Sequence, residues 1–511
     1  MSAQLIPIRD YNLIHEIQKS TCKLDSKNHS SFGPYYFSDF KDIINDSLQY
    51  SPSFLAIKYQ DTTKKSILRF NATPIYEAIY GQNIPLLKDN FYNTCFGGLI
   101  DFSISDKLGI SYLFTLNIFN MSPDLTDRRF GRNIVGGTYL HDVAMNNDFR
   151  ITYAPYKFLK LELANSKNFL GDGYRSFLLS DNARSYPYFK AEAHFLGIKY
   201  SCIWAALSPN IRNDFAGINF SQTKFAVFHY FDWSVSKRLS LGVFESIVSK
   251  KTDFFSFEYL NPVIFFRPVE FSLGSEDNAL LGASFKLSIN NLNAFYGQLI
   301  IDDIIVGQLI NDIKHTVKPD YTGEYGWFAN KWGIQLGFKS FDIFKVENLD
   351  FFTEVNIARP YLYSHFYPEQ NYSNNGQSLA HPLGANFVES VSGVRYKLNN
   401  LNIDFSMMYV KLGMDQINTH YGQNIFLSTM DGNQGMPYIV QSYGNRILQG
   451  NLTDIISTRI DFTYFLKGNK NMCLNAGYIF RNTNSESGEH VCVNYLYLGI
   501  KTNLSKLQGI Y

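Results

Sequence analysis

From about Ile67 to Leu504 the chain repeats short stretches in which apolar and polar residues strictly alternate, and no stretch is continuously apolar. Ile100, Phe102 and Ile104 alternate with Asp101, Ser103 and Ser105. Ile110, Tyr112, Phe114, Leu116 and Ile118 share one parity, with Ser111, Thr115 and Asn117 between them. Trp332, Ile334, Leu336 and Phe338 alternate with Gly333, Gln335, Gly337 and Lys339. The same pattern sets Leu401, Ile403, Phe405, Met407 and Tyr409 against Asn402, Asp404 and Ser406, and Ile456, Ile460, Phe462 and Tyr464 against Ser457, Arg459, Asp461 and Thr463. A period of two puts each set on one face of a strand. Many strands of this kind, apolar on one face and polar on the other, predict an all-β transmembrane antiparallel barrel with lipid outside and a polar lumen. On this reading Asp101, Gln335, Lys339, Asp404, Arg459 and Asp461 point inward.

Hairpin connections alternate in length. Ser105–Gly109, Ser236–Arg238, Leu398–Leu401 and Leu466–Lys470 are tight, whereas 121–147, 311–325, 363–381 and 413–452 are long and polar. Short turns at one rim and long loops at the other are the asymmetry of bacterial outer-membrane barrels. Roughly 440 residues at about 25 per strand and connection give about 16 to 18 strands, wide enough to leave a lumen unless loops fill it. Residues 1–63 read differently, as a helical N-terminal lead-in to a barrel spanning 64–511. Leu13, Ile14 and Ile17 have helical spacing, and Ser38 is placed to cap a second helix carrying Phe40, Ile43, Ile44 and Leu48. This lead-in is expected on the periplasmic side.

Composition agrees with this picture. Aromatic residues make up 16% of the 511 residues, an excess that interfacial girdles would absorb. Lys+Arg 46 against Asp+Glu 45 leaves a formal charge of +1, which implies no nucleic-acid partner. No apolar run approaches the roughly 20 residues of a spanning helix. The alternative is a large soluble all-β protein, but no fixed repeat of a propeller or solenoid is evident. The five cysteines (Cys22, Cys95, Cys202, Cys473, Cys492) lack zinc spacing and read as free and apolar, although Cys473 and Cys492 flank a probable turn and could form a cross-strand disulfide. Met1-Ser2-Ala3-Gln4 does not open a secretory leader, so the sequence is expected to be a mature form or to carry a misplaced start.

Three segments stand out from the alternation. In 165–188, Lys167, Asp172, Tyr174, Arg175, Asp181 and Arg184 combine with two glycines and several aromatics. Aromatic faces stack on sugar rings while Asp, Asn and Arg bond hydroxyls, so the segment is a candidate glycan site facing the lumen; the competing reading is a charge-paired brace for the wall. In the second segment, Glu258, Arg267 and Glu270 place charges inside apolar strands, which in a barrel means lumen-facing and paired. Two carboxylates raise a glycosidase alternative, which sequence cannot set geometrically. The third segment, 354–381, carries Arg359, His365 and His381. Two histidines without a third ligand at recognisable spacing favour a hydrogen-bonded loop over a metal site. No GxSxG or HExxH motif supports a hydrolase.

Taken together, three stretches resemble the Wzi-like capsule-assembly barrels. They are Asn168-Phe169-Leu170-Gly171-Asp172-Gly173-Tyr174-Arg175-Ser176, the run from Glu258 to Glu270, and Leu379-Ala380-His381-Pro382-Leu383-Gly384-Ala385-Asn386. The branch most similar is the one named for the gliding-motility protein RemB. The resemblance spans about 149 to 387 and weakens beyond. It implies an outer-membrane barrel of about 18 strands that organises or attaches surface polysaccharide, or serves surface adhesion and gliding. It implies no catalytic residues and no cofactor. Expected partners are membrane lipid and a surface polysaccharide or surface-assembly partner; a porin-like solute channel and, with less support, a membrane-embedded hydrolase are the alternatives.

Overall fold

A computed structural model of the chain describes residues 11–23, 29–40, 55–61, 66–84, 90–105, 107–120, 138–140, 143–208, 223–250, 277–303, 305–318, 320–429, 438–466 and 472–502. Among these residues an antiparallel sheet of 18 strands closes on itself. In chain order the strands are β1 (Ser66–Asn83), β2 (Asn90–Ile104), β3 (Leu108–Asn120), β4 (Val143–Tyr156), β5 (Leu159–Ser166), β6 (Tyr186–Phe195), β7 (Ile198–Leu207), β8 (Lys224–Ser234) and β9 (Leu239–Lys250). They continue with β10 (Asn278–Ser288), β11 (Asn293–Asp303), β12 (Lys331–Ser340), β13 (Leu349–Ala358), β14 (Phe387–Leu398), β15 (Leu401–Met414), β16 (Asn451–Phe465), β17 (Met472–Ser485) and β18 (His490–Thr502). Each pairs with its neighbours in sequence, and β18 returns to β1 through the register Tyr495↔Asn83 to Lys501↔Glu77. Closure leaves no open edge, which lipid requires because nothing there can satisfy a bare backbone.

The alternation determines which face is which. Tyr112, Ile118, Leu336, Phe405, Met407, Tyr409, Phe462 and Tyr464 are exposed on the outer face. Asp101, Thr115, Gln335, Asn402, Ser457 and Thr463, of the opposite parity, are buried. The expected inward set finds partners: Arg395 donates to Asp404 at 2.6 Å, and Arg459 holds Asp461 through two bonds at 2.5 and 2.9 Å. The inward face is not purely polar, however. Ile79, Phe91, Ile479, Val493, Tyr495 and Tyr497 form one buried cluster, and a larger one fills the middle of the barrel. Glycines make room for the inward rings. A Cβ on Gly337 would lie 2.2 Å from Tyr296 Cζ, and one on Gly393 would lie 2.3 Å from Phe352 Cε1.

The rims differ as expected. At one, the links are short: Leu196-Gly197 joins β6 to β7 with both φ values positive (50° and 76°), the conformation that matches strand twist in a two-residue hairpin. Asn399-Asn400 joins β14 to β15 by a link of the same length, with a positive φ (52°) at Asn399. At the other rim the links after β5, β11, β13 and β15 are long. The polar connection 311–325 is not wholly irregular, since it opens inside a helix, α2 (Val306–Val317). The N-terminal helix forms as read, as α1 (Tyr11–Thr21), with Leu13 and Ile17 buried. Of the second expected helix, only the 3-10 turn Phe37–Phe40 falls among the described residues; 43–48 lies outside them. The disulfide does not form. Cys473 pairs with Lys501 and Cys492 with Asn482, and the buried Cys473 and exposed Cys492 sit on opposite faces of the wall.

The lipid-facing assignment has a direct test. Leu336 sits mid-strand on β12 and is 58% exposed. Leu336→Lys is expected to cost about 2–4 kcal/mol, measured by urea unfolding in vesicles with heat-modifiable gel migration as the readout. A stability equal to the parent's would mean that this face does not meet hydrocarbon.

Candidate functional site

The segment between β5 and β6 leaves the long-loop rim and folds down into the lumen. Four neighbouring wall strands receive it through inward residues: Gln298 on β11, Gln335 on β12, Glu354 and Asn356 on β13, and Glu389 on β14. All of them are buried. Glu354 accepts the backbone N–H groups of Tyr174 at 2.7 Å and Arg175 at 3.1 Å, the hydroxyl of Tyr296 at 3.0 Å and the amide of Asn356 at 2.8 Å. Glu389 accepts Arg175 Nε and Nη2 at 3.3 and 3.1 Å, Asn356 Nδ2 at 2.9 Å and His381 Nε2 at 2.8 Å. The Asn356 amide therefore bridges the two carboxylates. Every oxygen carries two donors, which is what a carboxylate needs when water is excluded.

Further along, Gln298 accepts the N–H of Phe177 at 2.8 Å and donates to Leu170 O at 3.0 Å, while Gln335 donates to Arg175 O at 2.9 Å. These contacts explain Gly171-Asp172-Gly173. Gly171 has φ +134°, and a Cβ there would lie 2.1 Å from Gln298 Nε2; at Gly173 it would lie 2.7 Å from Glu354 Oε2. Only glycine lets the backbone come this close to the wall. Phe177 then packs against His381, with ring centroids 5.3 Å apart, and His381 against Phe387 at 4.3 Å.

A second segment meets the first from the short-turn side. α1 is held there by His15 to Asp350 at 2.7 Å and Lys19 to Asp342 at 2.6 Å. Beyond it, Phe32 and Gly33 pair with Leu170 and Phe169, and Ser30 donates to Asp172. Ser31 reaches Asp232, and Tyr36 donates to Glu162 at 3.0 Å, where Lys190 (3.0 Å) and Arg150 (3.6 Å) supply positive charge. A third segment, between β13 and β14, lies over the first. Tyr363 and Tyr372 donate their hydroxyls to Phe177 O and Leu178 O at 2.8 and 2.7 Å. The middle of the barrel is thus filled from both ends.

The residues singled out from the sequence separate accordingly. Lys167 is buried and donates to Asp181 O at 3.0 Å, closing the base of the inward segment. Asp172 takes Ser30 and lies 3.6 Å from Lys286, while its carbonyl accepts Lys339. Arg175 and His381 share Glu389. Tyr174 is 46% exposed and its ring stacks on Phe352 at 5.4 Å, nearer the short-turn end of β13. Asp181 and Arg184 are half-exposed near the long-loop end, where Arg184 O accepts Asn374 Nδ2 at 2.8 Å. Arg359 is drawn away from this group to Asp312 at 2.8 Å and Asn445 O at 3.3 Å. His365 accepts the N–H of Tyr367 at 3.2 Å and does not share a partner with His381 in these contacts. Glu258, Arg267 and Glu270 lie outside the described residues. The sequence reading missed the receiving side of the site: Glu354, Asn356, Glu389 and Gln298. A partial signal was available on β13, where Glu354 and Asn356 alternate with Val355 and Ile357; on β14 Glu389 lies between Val388 and Ser390, and the alternation there is weak.

No protein-family pattern and no curated protein matches the sequence. Among solved structures the chain is similar to Wzi, described as an outer-membrane protein involved in group 1 capsule assembly in Escherichia coli and as a carbohydrate-binding β-barrel. The identity is 12% and the TM-score 0.56, over 97% of this chain and 98% of that one. Weaker likenesses are to a variant of OccD1 (OprD), at 10% identity and TM-score 0.44 over 88% of this chain and 98% of that one, and to Acinetobacter baumannii OccAB2, at 11% and 0.44 over 86% and 98%. The likeness to Wzi gives the fold, an outer-membrane β-barrel.

Removing one partner of the Arg175–Glu389 pair leaves the other charge buried and bare. Glu389→Ala is expected to destabilise by about 3–5 kcal/mol, and the double change Arg175→Met with Glu389→Leu by clearly less. Thermal loss of the heat-modifiable band would report both, and equal losses would show that the two charges are not coupled. His381 gives a pH test. Its Nδ1 accepts the N–H of Leu383 at 3.2 Å, so the proton sits on Nε2, toward Glu389. Burial, outweighing the carboxylate, holds this imidazole below its ordinary range. A depressed value means that stability is present above the unfolded-state pKa of ~6.5 and is lost as the pH falls through the folded one. Proteolysis within 379–386 should therefore rise on acidification in the parent and lose that dependence in His381→Gln; a flat profile in the parent would reject the assignment.

Proposed function

We propose that this protein is a non-enzymatic outer-membrane barrel of a Gram-negative cell that holds or organises surface polysaccharide on its long-loop side. The observation that carries the reading is the filled lumen. A solute channel needs a continuous wet path, whereas here backbone from the inward segment occupies the centre and is bonded on four wall strands. A barrel closed in this way can still offer its rim to a polymer. The carbohydrate-binding description of the structural neighbour points in the same direction, as does the resemblance to the capsule-assembly barrels. Gliding motility, which the RemB branch would add, is a narrower role that draws no separate support from the geometry. Among the described residues proposed as glycan contacts, Asp181 and Arg184 are the ones left partly exposed toward the long loops. Lys167, Asp172 and Arg175 are taken up by the brace, and a carboxylate or guanidinium so engaged has little left to give a sugar hydroxyl.

Two measurements on purified barrel test this. In planar bilayers the parent should show no steady conductance. In vesicles it should co-sediment with polysaccharide extracted from the surface of the source cell, and Asp181→Ala with Arg184→Ala should weaken that retention while the heat-modifiable fold persists. Steady conductance without polysaccharide retention would overturn the reading in favour of a porin.

A further inference from the structure

Helix α2 presents its amphipathic faces the opposite way from a helix on a soluble protein. At 3.6 residues per turn, Val306, Ile310, Ile313 and Val317 fall within an arc of roughly 60°. They are 65%, 45%, 54% and 70% exposed. The opposite, polar face is the one held by protein. Asp312 accepts the N–H of Gly326 at 2.5 Å, Asn330 Nδ2 at 3.2 Å and Arg359 Nη1 at 2.8 Å. Gln308 donates to Tyr443 at 3.3 Å, and His315 stacks on Tyr325. A helix anchored by its charged side, with a β-branched stripe turned away, needs something apolar against that stripe.

The position of the helix says what that is. It follows β11, whose outward residues Phe295, Leu299 and Ile301 belong to the belt, and Ile305, 48% exposed, continues their line. Ile301 pairs with Trp332 on β12, so an aromatic ring of the kind found at membrane interfaces stands beside the start of the helix. We propose that α2 is an interfacial helix, lying along the long-loop rim with Val306, Ile310, Ile313 and Val317 in the outer leaflet of the membrane that surrounds the barrel. Lys314 and Lys318 flank the stripe, where lysine stems reach anionic headgroups while their apolar parts stay in contact with lipid. The apolar belt is then taller on this side of the barrel than its strands alone make it. The inference rests on the barrel being membrane-embedded.

Nitroxide labels on the full chain in vesicles of phosphatidylethanolamine and phosphatidylglycerol test it. Cys492→Ser removes the exposed thiol, and Ile310→Cys and Ile313→Cys introduce the labels singly. Leu299→Cys serves as the belt reference and Glu324→Cys as the aqueous one. Collisions with oxygen relative to a water-soluble nickel chelate should be severalfold higher at 310 and 313 than at 324, approaching the ratio at 299. If 310 and 313 read like 324 while 299 reads as lipid, the helix does not enter the leaflet and the barrel reading stands. If 310 and 313 are shielded from both probes, a protein partner or a second copy covers the stripe and the proposal is wrong. If 299 itself reads as aqueous, the membrane reading fails and takes the proposal with it.

Discussion

A sheet of 18 strands closed on itself encloses more space than its own inward side chains can fill. The inward segments answer that constraint. In a smaller barrel the wall residues would meet across the axis. Here the protein supplies three further segments, two entering from the long-loop side and one from the short-turn side, and these carry backbone into the lumen. Backbone brings N–H and C=O groups that must be satisfied away from water. The wall answers with Glu354, Asn356, Glu389, Gln298 and Gln335, and the carboxylates require Arg175 and His381 in turn. The charge content of the interior thus follows from its width.

The two filling systems are of different kinds. Around Phe177, Leu178, Tyr363 and Tyr372 the contact is mostly apolar, with the hydroxyls of the two tyrosines reaching the main chain of the segment beneath. Around Glu162 and Asp232 it is ionic and hydroxyl-rich, and it fastens the N-terminal stretch to the lower wall. The two meet where Phe32 and Gly33 pair with Leu170 and Phe169. Movement of either therefore bears on the other, although their sequences lie more than a hundred residues apart.

The wall was legible in the sequence because its code is local. Alternation along Ile110–Ile118 or Trp332–Phe338 can be read within one strand, and short turns such as Leu398–Leu401 announce themselves by length and residue type. The filling was legible only as an anomaly. The density of glycine, charge and aromatic residues in 167–185 marked the segment, but nothing in it named Glu354 or Glu389, which are brought to it by strand order and not by spacing. Helix α2 was read as loop for a related reason. Its polar residues are the anchored ones, so the pattern ran against the usual sense of inside and outside. An apolar lumen was likewise unexpected: Phe91, Ile479 and Tyr495 sit at inward parity, and strand alternation alone cannot tell a wet interior from a packed one.

The seam between β18 and β1 has a consequence for the order of events in making the molecule. Asn494 lies beside Asn83 across 411 residues, and Tyr76 beside Thr502 across 426. The last contact of the cylinder can form only when nearly the whole chain has been delivered. Until then two raw sheet edges would face the bilayer, each unpaired backbone group costing several kcal/mol there. An open edge in lipid is therefore costly at every stage before the seam forms. Pairing of 77–83 with 495–501 removes both edges at once, so the two ends of the described chain share the one contact that completes the cylinder.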